Sequence, residues 1–261
     1  MAGWQEFEQA CCNYLNKTYG NNRVRFESDG GSDSTSSDIK AFVDGVNRFN
    51  IEVKSSAAQS GQFVVLNADG KLIFSPENDS EEKEAEPFLV YMNAHYDTYK
   101  TATTAGKKLD MDKSEFNKWI VDHYLDKNEL FVITSNGDDF IIFPTEKYGE
   151  YFDTTCNYRI KKSGSGHVPK KYAEDIKKLF NCDSYKYIDN KKLYLHSSSA
   201  LTIKSKKTKG DYDYYVSKSD GNGYYCITRL SNTRNANVIF SIRVKKNQAP
   251  EDIAKFKEAL K

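Results

Sequence analysis

Three charged residues lie close together in one short stretch of the chain, and their side chains are of types that can bind a metal ion. Asp38 opens the stretch, and Glu52 and Lys54 close it. Two carboxylates together with a backbone carbonyl are hard oxygen ligands of the kind that Mg²⁺ prefers, and Mg²⁺ keeps several waters in such sites. The stretch therefore predicts a Mg²⁺ site with a lysine beside it.

Two adjacent strands are predicted to bring these side chains together. Residues 39–43 and 49–53 are rich in β-branched and aromatic residues, and Asp44-Gly45 supplies turn chemistry between them. Alternate residues of a strand face the same side, so Glu52 and Lys54 are expected to share a face. If the strands pair antiparallel, Asp38 falls at the open end of the hairpin beside them.

The spacing alone is common, because 29% of the residues are charged. Most acid-x-Lys triplets belong to solvated strand or helix faces, which is the alternative interpretation of this one. Only Glu52-Val53-Lys54 lies in an apolar strand that directly follows another strand opened by an acid. The other occurrences are Asp38/Lys40, Glu81/Lys83, Asp175/Lys177 and Asp189/Lys191.

The order of elements around the triplet adds to the pattern. Residues 3–19 have apolar residues at helical spacing, residues 23–27 form a short strand, and a Gly/Ser/Asp loop over 28–37 leads to the first acid. Helix, strand, loop, Asp strand and Glu-x-Lys strand in this order resemble the core of the PD-(D/E)xK nucleases, over about residues 3–66. One departure is Ser37, which stands where the motif has proline.

The resemblance implies a fold, a chemistry and a set of roles. It implies a restriction-endonuclease-like α/β fold, in which an αβα core surrounds a mixed central sheet. Asp38 and Glu52 would bind Mg²⁺ with the Val53 carbonyl, and Lys54 would orient or help to deprotonate the attacking water. Phe7-Glu8 resembles the helix glutamate of the superfamily, which would make Glu8 a further metal ligand; Glu6 in that role, or a glutamate of the helix surface without a role, are the alternatives.

The most specific function that the resemblance implies is that of a type II restriction endonuclease. Such an enzyme would act as a homodimer on a short sequence in double-stranded DNA and would leave 5′-phosphate ends. A Holliday-junction resolvase or DNA-repair nuclease is the alternative among enzymes. The non-enzymatic alternative is a catalytically silent DNA-binding protein that retains the fold.

Charge is distributed unevenly along the chain, although the net charge is only +1. Residues 155–261 hold 23 Lys and Arg against 10 Asp and Glu, whereas residues 1–154 hold 15 against 27. Such asymmetry suggests that the basic half meets a polyanion, although a solvated lysine-rich surface would look the same. The residues expected to contact DNA are Arg159, Lys161 and Lys162 before a Gly/Ser loop, and Gln59 and Gln62 after the catalytic lysine.

The rest of the chain is expected to complete the core and to add a lobe. Residues 1–182 are predicted to form the nuclease core, with an acidic loop inserted at 76–87, an apolar strand at 88–92 and a capped helix at 114–126. From residue 183 the pattern turns to β-strands in which Tyr alternates with Lys and Arg. Residues 183–261 are therefore predicted to form a basic, β-rich lobe that grips DNA.

Composition limits the cellular setting. No apolar run is long enough for a membrane helix, and the N-terminus has no basic and apolar segments of a secretory signal. The 5 cysteines are scattered and lack a C-x-x-C pair, which fits a reducing compartment. We expect a cytoplasmic protein of a bacterium or archaeon that does not bind membranes.

Overall fold

The structure is a computed structural model of the 261-residue chain. It describes residues 4–28, 37–78, 80–137, 139–162, 165–188, 192–230 and 234–261. Most of the predicted Gly/Ser/Asp loop over 28–37 lies outside the described residues. Within them, no helix combines the length and the apolar character that crossing a membrane requires.

The elements follow one another along the chain as helices and strands of mostly ordinary length. The helices are α1 (Trp4–Tyr19), α2 (Glu82–Ala94), α3 (Tyr96–Tyr99), α4 (Lys113–Leu125), α5 (Tyr148–Tyr151), α6 (Ala173–Phe180) and α7 (Pro250–Ala259). The strands are β1 (Val24–Ser28), β2 (Ile39–Val43), β3 (Val46–Val53), β4 (Ala57–Ala68), β5 (Lys71–Phe74), β6 (Lys107–Lys108), β7 (Glu129–Ser135), β8 (Phe140–Pro144), β9 (Phe152–Lys162), β10 (Ser165–Gly166), β11 (Ser184–Ile188), β12 (Lys192–His196), β13 (Lys206–Lys209), β14 (Tyr212–Ser219), β15 (Tyr224–Leu230) and β16 (Arg234–Val244).

The chain forms two compact units, residues 1–159 with 236–261 and residues 160–235. The first unit contains the predicted central sheet, with strand order β1-β2-β3-β7-β8. β3 and β7 run parallel and the other neighbours are antiparallel, so the sheet is mixed. This confirms the predicted sheet type.

Helices cover both faces of the central sheet. On one face, α1 and α7 bury Cys11, Leu15 and Phe256 against Ile39 and Ile51. On the other face, α4 contributes to a second apolar cluster that also takes up Val132 and Phe143 of the sheet. Neighbouring residues of β7 alternate between the clusters, as the two-residue period of a strand requires. The predicted αβα layers are confirmed.

A second sheet of the first unit has the order β5-β4-β16-β9-β6. β16 pairs antiparallel with β4, from Asn237 opposite Val64 to Arg243 opposite Ala57. Residues 236–261 therefore belong to the first unit, and the structure divides the chain differently from the predicted boundary between 182 and 183. The cause is long-range pairing, since β16 is separated from its partner β4 by most of the chain.

The second unit is a small α/β body of its own. Its sheet has the order β11-β12-β15-β14-β13, and β10 adds to β15. α6 packs on one face, where Ile176 and Phe180 join Leu193, Val216 and Ile227 in a separate apolar cluster. The unit carries 16 Lys and Arg against 7 Asp and Glu, so the basic, β-rich character expected for the lobe is present within residues 160–235.

The stretch from 76 to 94 departs from the predicted loop and strand. α2 begins at Glu82 and contains Pro87 in its interior, so part of the acidic loop and all of the strand predicted at 88–92 are helical. Ala85, Phe88 and Met92 are buried at helical spacing. Packing of this face against the second sheet outweighs the helix-breaking tendency of one proline.

Side-chain amides pair with both outer strands of the central sheet. The Phe26 N–H of β1 donates to Oδ1 of Asn16 at 2.9 Å, and Nδ2 of Asn16 donates to the Phe26 carbonyl at 2.8 Å. At the other edge, the Ile142 N–H of β8 donates to Oε1 of Gln248 at 2.6 Å, and Nε2 of Gln248 donates back at 2.9 Å. Each amide satisfies a peptide group that a further strand would otherwise use.

Candidate active site

The β2–β3 hairpin places Asp38 against the end of β3, as predicted. Ile39 lies opposite Ile51, so the residue before β2 faces the residues that follow Ile51. The Val53 N–H donates to Oδ2 of Asp38 at 2.9 Å. The hairpin turn is compact because Asp44 and Gly45 both adopt positive φ, 50° and 81°, which suits the right-handed twist of the strands.

Glu52 and Lys54 lie on the same face of the strand and form an ion pair with each other. The two side chains are only 10% and 15% exposed, respectively. Burial by itself would raise the pKa of Glu52, but the charge and hydrogen bond of Lys54, together with the charge of Lys127 and a hydrogen bond with Glu129, outweigh burial and lower it. Burial would likewise lower the pKa of Lys54, but Glu52 and Asp38 raise it, so both groups are charged in the folded protein.

Asp38 has the opposite tendency. Burial first and then the negative charge of Glu52 raise the pKa of Asp38 to about 7, against the opposing effects of Lys54 and the Val53 N–H. The carboxyl groups of Asp38 and Glu52 thus lie close together in a site with little access to water, and Asp38 holds its proton more tightly than usual. A bound cation would relieve this repulsion.

Glu129 is a further carboxyl group at the site that the sequence analysis did not identify. It begins β7, which pairs in parallel with β3, and it is 1% exposed. Burial raises the pKa of Glu129 to about 9, and the charge of Glu52 and a hydrogen bond with Glu52 contribute. At neutral pH Glu129 is therefore a neutral acid that donates to the Glu52 carboxylate. Its one sequence signal is an acid directly before an apolar strand.

A network of buried hydroxyl groups lies behind the lysine, and it too was missed. Nζ of Lys54 lies 5.6 Å from the ring centre of Tyr124. The Tyr124 hydroxyl donates to the Ser60 carbonyl at 2.8 Å and lies 2.7 Å from Oγ of Ser60, which also contacts the Tyr148 hydroxyl. These three residues come from β4, α4 and α5, so no local pattern could have grouped them. The network fixes the aromatic ring that faces the ammonium group.

Glu8 lies at the same cleft, in agreement with its predicted position. The residue is 4% exposed, and its Oε1 accepts a hydrogen bond from the Ser28 hydroxyl at 2.5 Å. A cleft of about 200 Å³ is lined by Glu8, Asp38, Val53 and Lys54 among other residues. The negative charge of Glu8 also contributes to the raised pKa of Asp38, which places the two carboxyl groups near each other.

The donor set fits a divalent cation in type. The described residues contain no cluster of three or more His, Cys, Asp or Glu side chains arranged to hold a metal. An ion here would therefore take the carboxylates of Asp38 and Glu52 and the Val53 carbonyl, with water completing the shell, which is the mixed coordination that Mg²⁺ accepts. Glu52 would then exchange part of its contact with Lys54 for the ion.

The residues predicted to contact DNA are not all at the cleft. Gln59 lines it, and its Nε2 donates to Oε1 of the exposed Gln62 at 2.9 Å. Arg159 and Lys161 lie on β9, and Arg159 is exposed. The side chain of Lys162 and the neighbouring residue Gly164 fall outside the described part of the chain.

Comparison with known proteins agrees with this geometry. No protein-family model matches the sequence, and no curated protein matches it. Among solved structures, the chain is similar to HhaI endonuclease in complex with DNA, with 40% sequence identity, a TM-score of 0.77 and coverage of 99% of both chains. Identity at this level over the full length, together with the arrangement of Asp38, Glu52 and Lys54, shows that the chain belongs to the type II restriction endonucleases of the PD-(D/E)xK superfamily.

Proposed function

We propose that this protein is a Mg²⁺-dependent endonuclease that cuts double-stranded DNA at a short specific sequence. The observation that carries the proposal is the convergence of Asp38, Glu52 and Lys54 at one end of the β2–β3 hairpin, with the Val53 N–H bonded to Asp38. The likeness to a restriction endonuclease extends over 99% of the chain, including the second unit, which favours this function over that of a junction resolvase.

The chain's own residues would divide the chemistry among them. Asp38, Glu52 and the Val53 carbonyl would hold the ion, with Glu8 at the edge of the set, and Glu129 would keep the Glu52 carboxylate in place by donating to it. Lys54, held between Glu52 and the Tyr124 ring, would orient the attacking water. A bound Mg²⁺ supplies positive charge that stabilises the phosphate in the transition state. In-line attack would leave 5′-phosphate and 3′-hydroxyl ends.

The part of the chain that the structure describes contains one such set of residues, so cutting both strands requires either two copies on the DNA or two successive nicks. The homodimer predicted from the sequence corresponds to the first case. Supercoiled plasmid distinguishes the two, because paired cuts give linear product directly, whereas successive nicks accumulate open circles first. Analytical ultracentrifugation of the protein with and without a duplex measures the number of copies.

The activity is tested by incubating purified protein with plasmid, with four-way junction DNA and with matched EDTA controls. Discrete plasmid fragments that depend on Mg²⁺ support the proposal. Cuts at the junction alone would identify a resolvase, and binding without any cuts would identify a silent DNA-binding protein. A digest of a sequenced phage genome then gives the recognition sequence and the cut position.

Single substitutions test the site itself. Asp38→Ala and Glu52→Ala should each abolish Mg²⁺-dependent cleavage and leave DNA affinity in Ca²⁺ largely unchanged, because each removes a metal ligand and no base contact. Asp44→Asn is the matched control, since Asp44 is an exposed carboxylate at the other end of the same hairpin, paired with Arg23. Robust cutting by either site variant would refute the assignment.

We propose further that the basic second unit supplies much of the phosphate contact. Its excess of 16 Lys and Arg over 7 Asp and Glu contrasts with the acidic first unit. Proteins that neutralise phosphates release counterions, so their affinity for DNA falls as salt rises. Lys161 and Lys162, at the end of β9, belong to this unit by their place in the chain, and Arg159 is the last residue of the first unit before it.

The salt dependence of DNA affinity tests this proposal, with Ca²⁺ present to prevent cutting. The test variant should weaken binding to every sequence and flatten the salt slope by about one unit per lost contact. The control variant should have a much smaller effect, since its lysines are exposed residues of the acidic unit. The test variant neutralises Arg159, Lys161 and Lys162, and the control neutralises Lys71, Lys83 and Lys100. If both variants keep the salt dependence of the parent protein, the basic unit is only a solvated surface and this proposal fails.

A further inference from the structure

Trp4 is a tryptophan with more than half of its surface exposed to solvent, which is unusual for this residue in a globular protein. It is the first residue of α1 and is 56% exposed, whereas Trp119 is packed in the core and 2% exposed. Trp4 also lines the cleft of about 200 Å³ whose other residues include Asp38 and Lys54. The most exposed part of this helix's apolar stripe is therefore a wall of the candidate active site.

The spacing within α1 explains how the indole comes to be there. Phe7, Cys11 and Leu15 recur at four-residue intervals and pack onto the central sheet, with Cys11 and Leu15 fully buried. Trp4 precedes Phe7 by three residues and continues the same stripe by one turn. It extends beyond the part of the sheet that buries the others, so its ring borders the cleft and does not enter the core.

We propose that Trp4 is a substrate-contacting residue, whose indole packs against the nucleotide next to the scissile phosphate. This inference rests on the proposed function. A phosphate placed at Asp38 and Lys54 brings the adjoining sugar and base against the side walls of the cleft. Trp4 forms one of these walls and Gln59 lines another part of the cleft. Indole rings stack well on sugars and bases of any sequence, so the contact would position the strand without reading it.

Fluorescence gives a direct test, because Trp4 and Trp119 are the 2 tryptophans of the chain. A duplex that carries the mapped recognition site, added in Ca²⁺, should change the emission of the wild-type protein. Trp4→Phe should still bind the duplex in a gel-shift assay but should lose most of the emission change, because Trp119 is buried and away from solvent.

Single-turnover cleavage gives a second, independent measurement. Trp4→Ala should lower the cleavage rate by about tenfold to a hundredfold, the range expected for loss of one aromatic contact with a nucleotide, and Trp4→Phe should recover much of it. Val46→Ala is the control, since Val46 is an apolar residue that is 62% exposed at the turn of the β2–β3 hairpin, at the end opposite to Asp38. Its rate should equal that of the wild type.

The outcomes separate this inference from the proposed function. If the wild type neither binds nor cuts DNA, the proposed function fails. If the wild type cuts and Trp4→Ala cuts at the same rate, or if Trp4→Phe retains the full emission change, this inference alone fails. Equal thermal unfolding of Trp4→Phe and wild type shows that the comparison concerns the contact with DNA and not the fold.

Discussion

Replacing Asp38 with Asn should make the metal-free protein more stable at pH 8, although it removes a candidate metal ligand. The pKa of Asp38 is raised from 3.8 to about 7 by burial and by the charge of Glu52. Below about pH 4 the carboxyl is protonated in both the folded and the unfolded chain, so it has no effect. Between about pH 4 and pH 7 the unfolded chain loses the proton and the folded chain keeps it. The free energy of unfolding therefore falls as pH rises through this window.

The size of the effect follows from the shift. A shift of about three pKa units at about 1.36 kcal/mol each amounts to about 4 kcal/mol, which is an upper bound for a group that shares its charge with a neighbour. Asp38 is only partly buried, and solvent reduces the penalty. We expect Asp38→Asn to gain about 2 kcal/mol over wild type between pH 4 and pH 8. The amide oxygen can still accept from the Val53 N–H, so the hairpin contact is kept.

Urea unfolding in EDTA at a series of pH values measures this difference. The matched control is Asp44→Asn, which carries the same substitution at the other end of the hairpin. The pKa of Asp44 is lowered by its hydrogen bond with Arg23, so its replacement should give no gain at high pH. Adding Ca²⁺ at pH 8 should then stabilise the wild type and not Asp38→Asn. A difference between Asp38→Asn and wild type that is flat from pH 4 to pH 8 would refute the reasoning.

Three further substitutions have definite expected outcomes. Glu8→Gln should lower the cleavage rate less than Asp38→Ala does, because Glu8 is at most an auxiliary ligand, and a wild-type rate would show that it has no catalytic part. Tyr148→Phe leaves Oγ of Ser60 without one of its buried partners and should cost about 1–3 kcal/mol of stability in urea unfolding; an unchanged midpoint would contradict the network. Gly61→Ala would place a Cβ atom against the Trp119 ring and should destabilise by about 1–3 kcal/mol through overpacking, whereas an unchanged thermal midpoint would mean that the ring moves freely.

The central triad could be found from the sequence because its geometry is local. The strand at 39–43 is observed with the predicted bounds, and a short turn fixes its pairing with β3. A two-residue period then determines that Glu52 and Lys54 share a face. No knowledge of distant parts of the chain is needed to bring Asp38 to this end of the hairpin.

The surroundings of the triad could not be found in this way, because they depend on distant contacts. Glu129 reaches Glu52 only through the parallel pairing of β3 and β7, and Tyr124 reaches Lys54 only through the packing of α4. The apolar run at 88–92 fits a strand or a buried helix equally well by composition. The structure resolves it as helix, because Phe88 and Met92 pack in an apolar cluster with residues that are distant in the chain, among them Trp119 and Phe240.

The amides of Asn16 and Gln248 have a consequence for assembly. At Phe26 and Ile142 the outward-facing peptide groups of the central sheet are already bonded within the chain. A second copy cannot extend the sheet at these positions by strand addition. Two copies that act together on one duplex are therefore expected to meet through contacts other than strand addition at Phe26 and Ile142, such as side-chain surfaces or the DNA itself. The same hydrogen bonds also disfavour aggregation of the central sheet through its edges at these positions when the protein is concentrated without DNA.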